Sequence, residues 1–221
     1  TEEEIRDISQ IYIIACGSAY HVGMAAQYVI EDMARIPVRV ELASEFRYRN
    51  PILDPHALAI VISQSGETAD SLAALRLCKK HGIRTLAIVN VVGSSIAREA
   101  DNIFYTLAGP EISVATTKAY STQLMASYIL AIQFAKVKNT ITEEQYENYI
   151  AELQAIPEKI EKIIEDKETG KLVWECPNCG NRDEKKLNVA RRTCGYIGSN
   201  FWNAGRTQEI KERVIHLGGN E

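Results

Sequence analysis

At 221 residues and 46% apolar side chains, the chain can form one sizeable globular domain plus a smaller piece. A formal net charge of −4 excludes a generalised binder of nucleic acid or anionic membrane, and no apolar run reaches the roughly 20 residues needed to cross a bilayer. The five cysteines are odd in number and unevenly placed, which excludes a secreted disulfide framework and makes a reducing cytoplasm the expected setting. The chain starts at Thr1 without a Met or a signal peptide, so a fragment or a processed form is expected.

Residues 1–10 read as the end of a helix. The apolar run Ile11-Tyr-Ile-Ile-Ala-Cys16 is the pattern of a strand buried on both faces. Gly17-Ser18 turns it into a helix from about Ala19 to Met33, with Val22, Ala25, Ala26, Val29 and Ile30 at helical spacing, and Ile36-Pro37 ends it. Val38–Leu42 alternates as a second strand, and a short helix over Ala43–Tyr48 is expected to take Ser44 as its cap. Pro51 and Pro55 bracket a loop, and Cys16 and Cys78 are both expected to be small buried hydrophobes.

The run Ala57-Leu-Ala-Ile-Val-Ile-Ser63 is a third buried strand. It turns through Ser63-Gln64-Ser65-Gly66-Glu67-Thr68 into a helix carrying Leu72, Leu75 and Leu77 and closed by His81-Gly82, with Gly82 left-handed. An N-cap needs one hydroxyl, and this turn offers three together with an amide. Side-chain oxygens and helix N-terminal N–H groups in such a turn point to an anion site.

Thr85–Asn90 is a fourth strand, Ser94–Glu99 a short helix and Ile103–Thr106 a fifth strand. A Gly/Pro-containing loop over Leu107–Thr117 leads into a long helix from about Lys118 to Lys136. Thr142-Glu-Glu-Gln145 is a capping box, with Ile141 and Tyr146 placed as a staple, and its helix runs toward Glu165 with Pro157 interrupting it.

Strands alternating with helices predict an α/β fold: a five-stranded parallel sheet in a three-layer αβα arrangement of flavodoxin-like order. Ligands in such sheets bind at the carboxyl ends of the strands. Three turns lie there, Gly17-Ser18, Ser63–Thr68 and Val91–Ser95, and the hydroxyls of the first two should converge on one pocket. A dinucleotide site is the competing reading, with Gly17 after the first strand and Glu41 where a ribose-binding acid would sit. Gly17-Ser-Ala-Tyr-His-Val-Gly23 lacks the glycine two residues after Gly17 that close approach of a pyrophosphate requires.

Several separate motifs carry a resemblance. Gly17-Ser18, Ser44-Glu-Phe-Arg-Tyr-Arg49, Ser63-Gln-Ser-Gly-Glu-Thr-Ala-Asp70, Leu86–Asn90, Gly93-Ser94-Ser95 and Val114-Ala-Thr-Thr-Lys-Ala-Tyr120 together resemble the first sugar isomerase (SIS) domain of the glutamine–fructose-6-phosphate aminotransferases, over about Ile11 to Glu165. The resemblance implies a fructose-6-phosphate site. Ser63, Gln64, Ser65 and Thr68 would hold the phosphate, Ser18 would contribute from the first turn, and Val114 and Thr116 would contact the sugar. The family often has Thr at the position of Ser18 and Ser at that of Thr116; some members carry Ser where Ala19 stands. Glu67 reads as a residue that orients or caps the turn, and His21 as a satisfied helix histidine.

The resemblance further implies that the isomerising acid/base groups and the ring-opening lysine lie on a second SIS domain and C-terminal tail. The ammonia-releasing cysteine would lie on a glutaminase domain. None of these is expected in this chain, so it would anchor the phosphate without performing the chemistry. The SIS part needs no cofactor, and a homodimer is expected because related SIS domains pair through helices.

After about Lys167 the character changes. Cys176-Pro-Asn-Cys179 is half of a zinc-knuckle site, able to supply two of four tetrahedral ligands. Arg191-Arg-Thr-Cys-Gly-Tyr-Ile-Gly198, Asn203-Ala-Gly-Arg206 and Glu209–Leu217 are similar to the C-terminus of the anaerobic, glycyl-radical ribonucleotide reductases. In that resemblance Gly195 would carry the radical, and Cys176 and Cys179 would be half of a four-cysteine zinc site; the second Cys-x-x-Cys is missing. The expected organisation is 1–10 helix end, 11–140 SIS domain, 141–167 linker helix and 168–221 reductase-like segment, loosely packed and joined artificially near 165–170. Two other functions compete with the aminotransferase domain: a non-catalytic SIS phosphosugar sensor and a reductase fragment.

Overall fold

The computed structural model describes residues 1–110 and 116–161, together with the backbone of 191–193 and 196–198. Five strands, β1 (Ile11–Ala15), β2 (Val38–Leu42), β3 (Leu58–Ser63), β4 (Arg84–Val89) and β5 (Asn102–Tyr105), pair in parallel in the order β2-β1-β3-β4-β5. This is the flavodoxin-like order, and its topological switch lies between β1 and β3. The helices are α1 (Glu2–Asp7), α2 (Gly17–Ala34), α3 (Ala43–Phe46), α4 (Ala69–Lys80), α5 (Ser95–Glu99), α6 (Lys118–Val137), α7 (Glu143–Gln154) and α8 (Ile156–Glu161).

The apolar strand runs explain the three layers. Ile11, Ile13 and Ala15 of β1 join a core with Ile60, Ile62, Ile88 and the inward faces of α2 and α6. Tyr12 and Ile14, one residue out of phase, join a second core with Ala59, Val61, Val89 and residues of α3, α4 and α5. Each buried Ile or Leu contributes about 2 kcal/mol by leaving water, so a strand apolar on both faces is stable only between two helical layers.

Helix ends follow the sequence at most positions. Gly82 is left-handed (φ +73°) just beyond α4, and the Ile83 amide returns to the Cys78 carbonyl at 3.0 Å. The Thr142 box forms in full: Gln145 N–H donates to Thr142 Oγ1 at 3.2 Å and Thr142 N–H to Gln145 Oε1 at 2.9 Å. Tyr146 lies beneath the Lys136 ammonium, 3.7 Å from the ring centre.

Three expectations are corrected. Leu42, not Ser44, is the N-cap of α3, because β2 runs directly into the helix and leaves Ser44 inside it. The helix after Thr142 does not run on to Glu165 as one piece: α7 stops at Gln154, Ala155 is a turn, and α8 begins at Ile156. Pro157 lacks an N–H and its ring would clash with the Leu153 carbonyl, so it is accommodated in the first turn of a new helix. Cys78 is fully buried, and burial pushes its thiol up to about 12, but Cys16 is only half-buried at the end of β1.

The chain divides into two units, Thr1–Ala151 and Glu152–Glu221. In the second, β6 (Arg191–Thr193) and β7 (Tyr196–Gly198) form a short antiparallel ladder, Arg191 opposite Gly198 and Thr193 opposite Tyr196. Cys176, Cys179 and Gly195 lie outside the described residues. Among the described residues no helix is long and apolar enough to cross a membrane.

Candidate functional site

The site forms where β1 and β3, adjacent in the sheet, hand over to their helices. Cys16 is the N-cap of α2 with extended backbone, and Thr68 is the N-cap of α4; neither side chain bonds to its own helix start. Two helix N-termini are therefore left without side-chain caps on neighbouring strands. Their N–H groups and partial positive charge favour an anion.

The Ser63–Thr68 turn is shaped by its own hydroxyls. Ser63 Oγ lies 3.0 Å from Thr68 Oγ1 and accepts from the Gly66 amide at 3.1 Å. Ser65 Oγ accepts from the Glu67 amide at 3.2 Å. Each hydroxyl keeps further capacity for a ligand, since an alcohol oxygen has two lone pairs and one proton. Ser18, Ser63, Gln64, Ser65, Thr68 and Thr116 all line one cleft of about 280 Å³. Thr116 reaches it from the segment before α6, while Val114 lies outside the described residues. Cys16 and Ala19 line it as well.

The third turn does not line this cleft; it braces the second. Gly66 sits at φ +66°, and a Cβ there would fall 2.0 Å from Ser94 Oγ and 2.5 Å from Ser94 Cβ, so both conformation and contact require glycine. Ile96 N–H donates to the Gly66 carbonyl at 3.0 Å, and Ser95 N–H donates to Glu67 Oε1 at 2.7 Å. Hydrogen bonds from Ser95 hold the Glu67 carboxyl below the usual carboxylate range. Glu67 thus orients the turn, as read from the sequence. Asn90 ties the next loop: its Nδ2 donates to the Gly109 carbonyl at 2.8 Å, while Oδ1 accepts from Ala108 N–H at 2.7 Å and Thr106 Oγ1 at 3.1 Å.

Charge around the site is arranged so that an anion is not repelled. Asp70, in the first turn of α4, receives Arg47 Nη1 at 2.7 Å, and this hydrogen bond raises the guanidinium above its ordinary value. The pair neutralises a carboxylate that would otherwise oppose a phosphate at the same helix end. His21 Nδ1 is 3.1 Å from the Gly17 carbonyl on the exposed side of α2, the local contact of a satisfied helix histidine. Apart from the Cys16 thiol, no titratable side chain among the described residues lines the cleft, whose hydroxyls, amides and helix N–H groups can bind and orient an anion. No group of three or more His, Cys, Asp or Glu able to hold a metal occurs among the described residues.

One lining residue escaped the sequence reading. Gln123 of α6 is 1% exposed, and neither its Oε1 nor its Nε2 has a hydrogen-bond partner among the described residues. The available signal was a long polar side chain on the stripe Ala119, Gln123, Ala126, Ser127, which faces the interior.

Residues 4–133 match the family model described as SIS domain. The chain belongs to the SIS domain family. The SIS domain here is 60% identical over 168 residues to the glutamine–fructose-6-phosphate aminotransferase of Clostridium tetani, covering 76% of this chain and 28% of the relative. It is 45% identical over 175 residues to that of Methanosarcina mazei, covering 79% and 28%. The chain thus spans little more than a quarter of the length of these relatives. Among solved structures, the C-terminal domain of glucosamine-fructose-6-phosphate aminotransferase from Francisella tularensis superposes with a TM-score of 0.71 at 44% identity, covering 73% of this chain and 46% of that one. Glucosamine-6-phosphate deaminase from Thermotoga maritima gives 0.57 at 25% identity, covering 68% and 45%. Residues 111–216 also match the model for anaerobic ribonucleoside-triphosphate reductase, the second likeness read from the tail. That match starts upstream of residue 168 and overlaps the SIS match over 111–133.

Proposed function

We propose that the SIS domain of this chain binds fructose 6-phosphate as the phosphosugar-binding part of a glucosamine-6-phosphate synthase, in amino-sugar biosynthesis. The observation that carries this reading is the meeting of Ser18, Ser63, Gln64, Ser65, Thr68 and Thr116 in one cleft between two uncapped helix starts. Hydrogen bonds to a charged phosphate are worth about 1.5–3 kcal/mol each. A non-reacting phosphate held this firmly orients the other end of the sugar.

The chain spans 28% of such a relative's length, and we place the isomerising groups in the parts that it does not span. By itself the chain would then not convert glutamine and fructose 6-phosphate to product. A reducing cytoplasm is the proposed setting. Exposed Met24 and Tyr28 on α2 and Tyr128 and Ile129 on α6 favour pairing of two SIS units, which sedimentation would detect. A phosphosugar sensor is the rival reading, and turnover by the chain extended with the relatives' remaining domains would exclude it.

Calorimetric titration of the chain with fructose 6-phosphate, glucosamine 6-phosphate and a nucleoside triphosphate tests the assignment. Binding of the sugar phosphates, weakened about tenfold or more in Ser65→Ala, supports it. Failure of both sugar phosphates to bind refutes it.

The reductase match favours a second assignment for the tail alone, with Gly195 as radical site and Cys176 and Cys179 as half of a zinc site. We hold the join near 165–170 to be artificial. A single long sequencing read with an uninterrupted frame through Glu165–Gly170 would overturn that.

A further inference from the structure

We infer that Gln123 is an additional ligand-binding residue of the cleft, its side-chain amide hydrogen-bonding the sugar phosphate from the α6 side. The inference rests on the phosphosugar reading and names a contact that the sequence motifs did not include. Three observations meet at this residue. Gln123 lines the same cleft as the Ser63–Thr68 turn. It is 1% exposed, so bulk water does not satisfy it. Both its Oε1 and its Nε2 lack a partner among the described residues.

An unsatisfied primary amide in a packed helix face destabilises the fold, and a leucine would fill the same space without that cost. The neighbouring polar residue on the stripe does not share the predicament, because Ser127 Oγ donates to the Gln123 backbone carbonyl at 2.9 Å. Both polar atoms are covered by surrounding protein, so the amide reaches what fills the cleft by a rotation of its side chain. Its Nε2 offers two donors to a phosphate oxygen, and its Oε1 accepts from a sugar hydroxyl, both from the α6 wall of the cleft.

The test compares the full chain with its Gln123→Leu and Gln123→Glu variants. Thermal melts are recorded without ligand, and fructose 6-phosphate and inorganic phosphate are titrated by calorimetry. The expected result is an unliganded Gln123→Leu chain as stable as wild type or more so, with affinity for fructose 6-phosphate reduced roughly tenfold or more. Gln123→Glu should weaken binding further, since its carboxylate faces an anion. A parallel loss for inorganic phosphate assigns the contact to the phosphate; a loss confined to fructose 6-phosphate assigns it to a hydroxyl. A Gln123→Leu chain that melts lower yet binds like wild type overturns the inference and makes the residue structural. Unchanged binding in both variants also overturns it while the phosphosugar reading stands. A wild-type chain that binds neither sugar phosphate overturns both.

Discussion

Two turns at the same edge of the sheet have nearly the same chemistry and opposite employment. Ser63–Thr68 and Val91–Ser95 each follow a buried strand, contain a glycine and two or more hydroxyl residues, and open a helix. The first lines a cleft with Ser18 and Thr116. The second packs behind it, giving Ser95 N–H to Glu67, while the Ser94 side chain leaves no space for a Cβ at position 66. The difference lies in position relative to the switch between β1 and β3, where two helix starts are brought side by side. Hydroxyl-rich turns at strand ends are therefore candidates for binding, and the neighbouring strand decides which of them has a pocket.

If bracing and binding are separate tasks, substitutions should separate them. Gly66→Ala should break both, because it forces a side chain into Ser94 at a positive φ. We expect a loss of about 3 kcal/mol in denaturant unfolding and no measurable sugar-phosphate binding. Adding Ser94→Gly should recover the steric part and leave the backbone strain. Asn90→Ala removes three bonds to the Thr106–Gly109 loop and should cost about 2 kcal/mol, read by the same unfolding curve. Ser65→Ala should move stability by no more than about 0.5 kcal/mol, since its Oγ serves only the exposed Glu67 amide within the protein, while affinity falls. A large loss of stability in Ser65→Ala with unchanged affinity would erase the distinction between the turns.

The smallest effect concerns pH. The Glu67 carboxyl is held below its ordinary value by bonds from Ser95, so its contribution is present above the unfolded pKa of about 4.3 and is lost as pH falls through the lower folded value. The stability gap between wild type and Glu67→Gln should accordingly be constant above about pH 5 and close below about pH 4. A gap that widens on acidification would contradict the bracing role.

The local alphabet was legible where composition acts locally. The strand cores, the Thr142 box, the left-handed Gly82 and the hydroxyl turn follow from apolar runs, capping chemistry and backbone sterics. Ser44 misled because a serine ahead of an apolar stretch suggests a cap, whereas the continuous run from β2 into α3 set the start at Leu42. Cys16 misled because an apolar strand was extended one residue too far, into the lip of the cleft. Gln123 escaped because a polar residue on a buried stripe gains meaning only from what packs opposite it.

By itself, then, the sequence determined five strands, buried along β1, β3 and β4, their order of appearance, and a turn chemically suited to an anion. Those properties depend on residues close together in the chain. Only the tertiary structure decided that Gln123, 105 residues beyond Ser18, joins Ser18, Thr116 and the Ser63–Thr68 turn in one cleft. Parallel pairing of β1 with β3 and packing of α6 against α2 bring them together, and such long-range juxtaposition leaves no signature in local spacing.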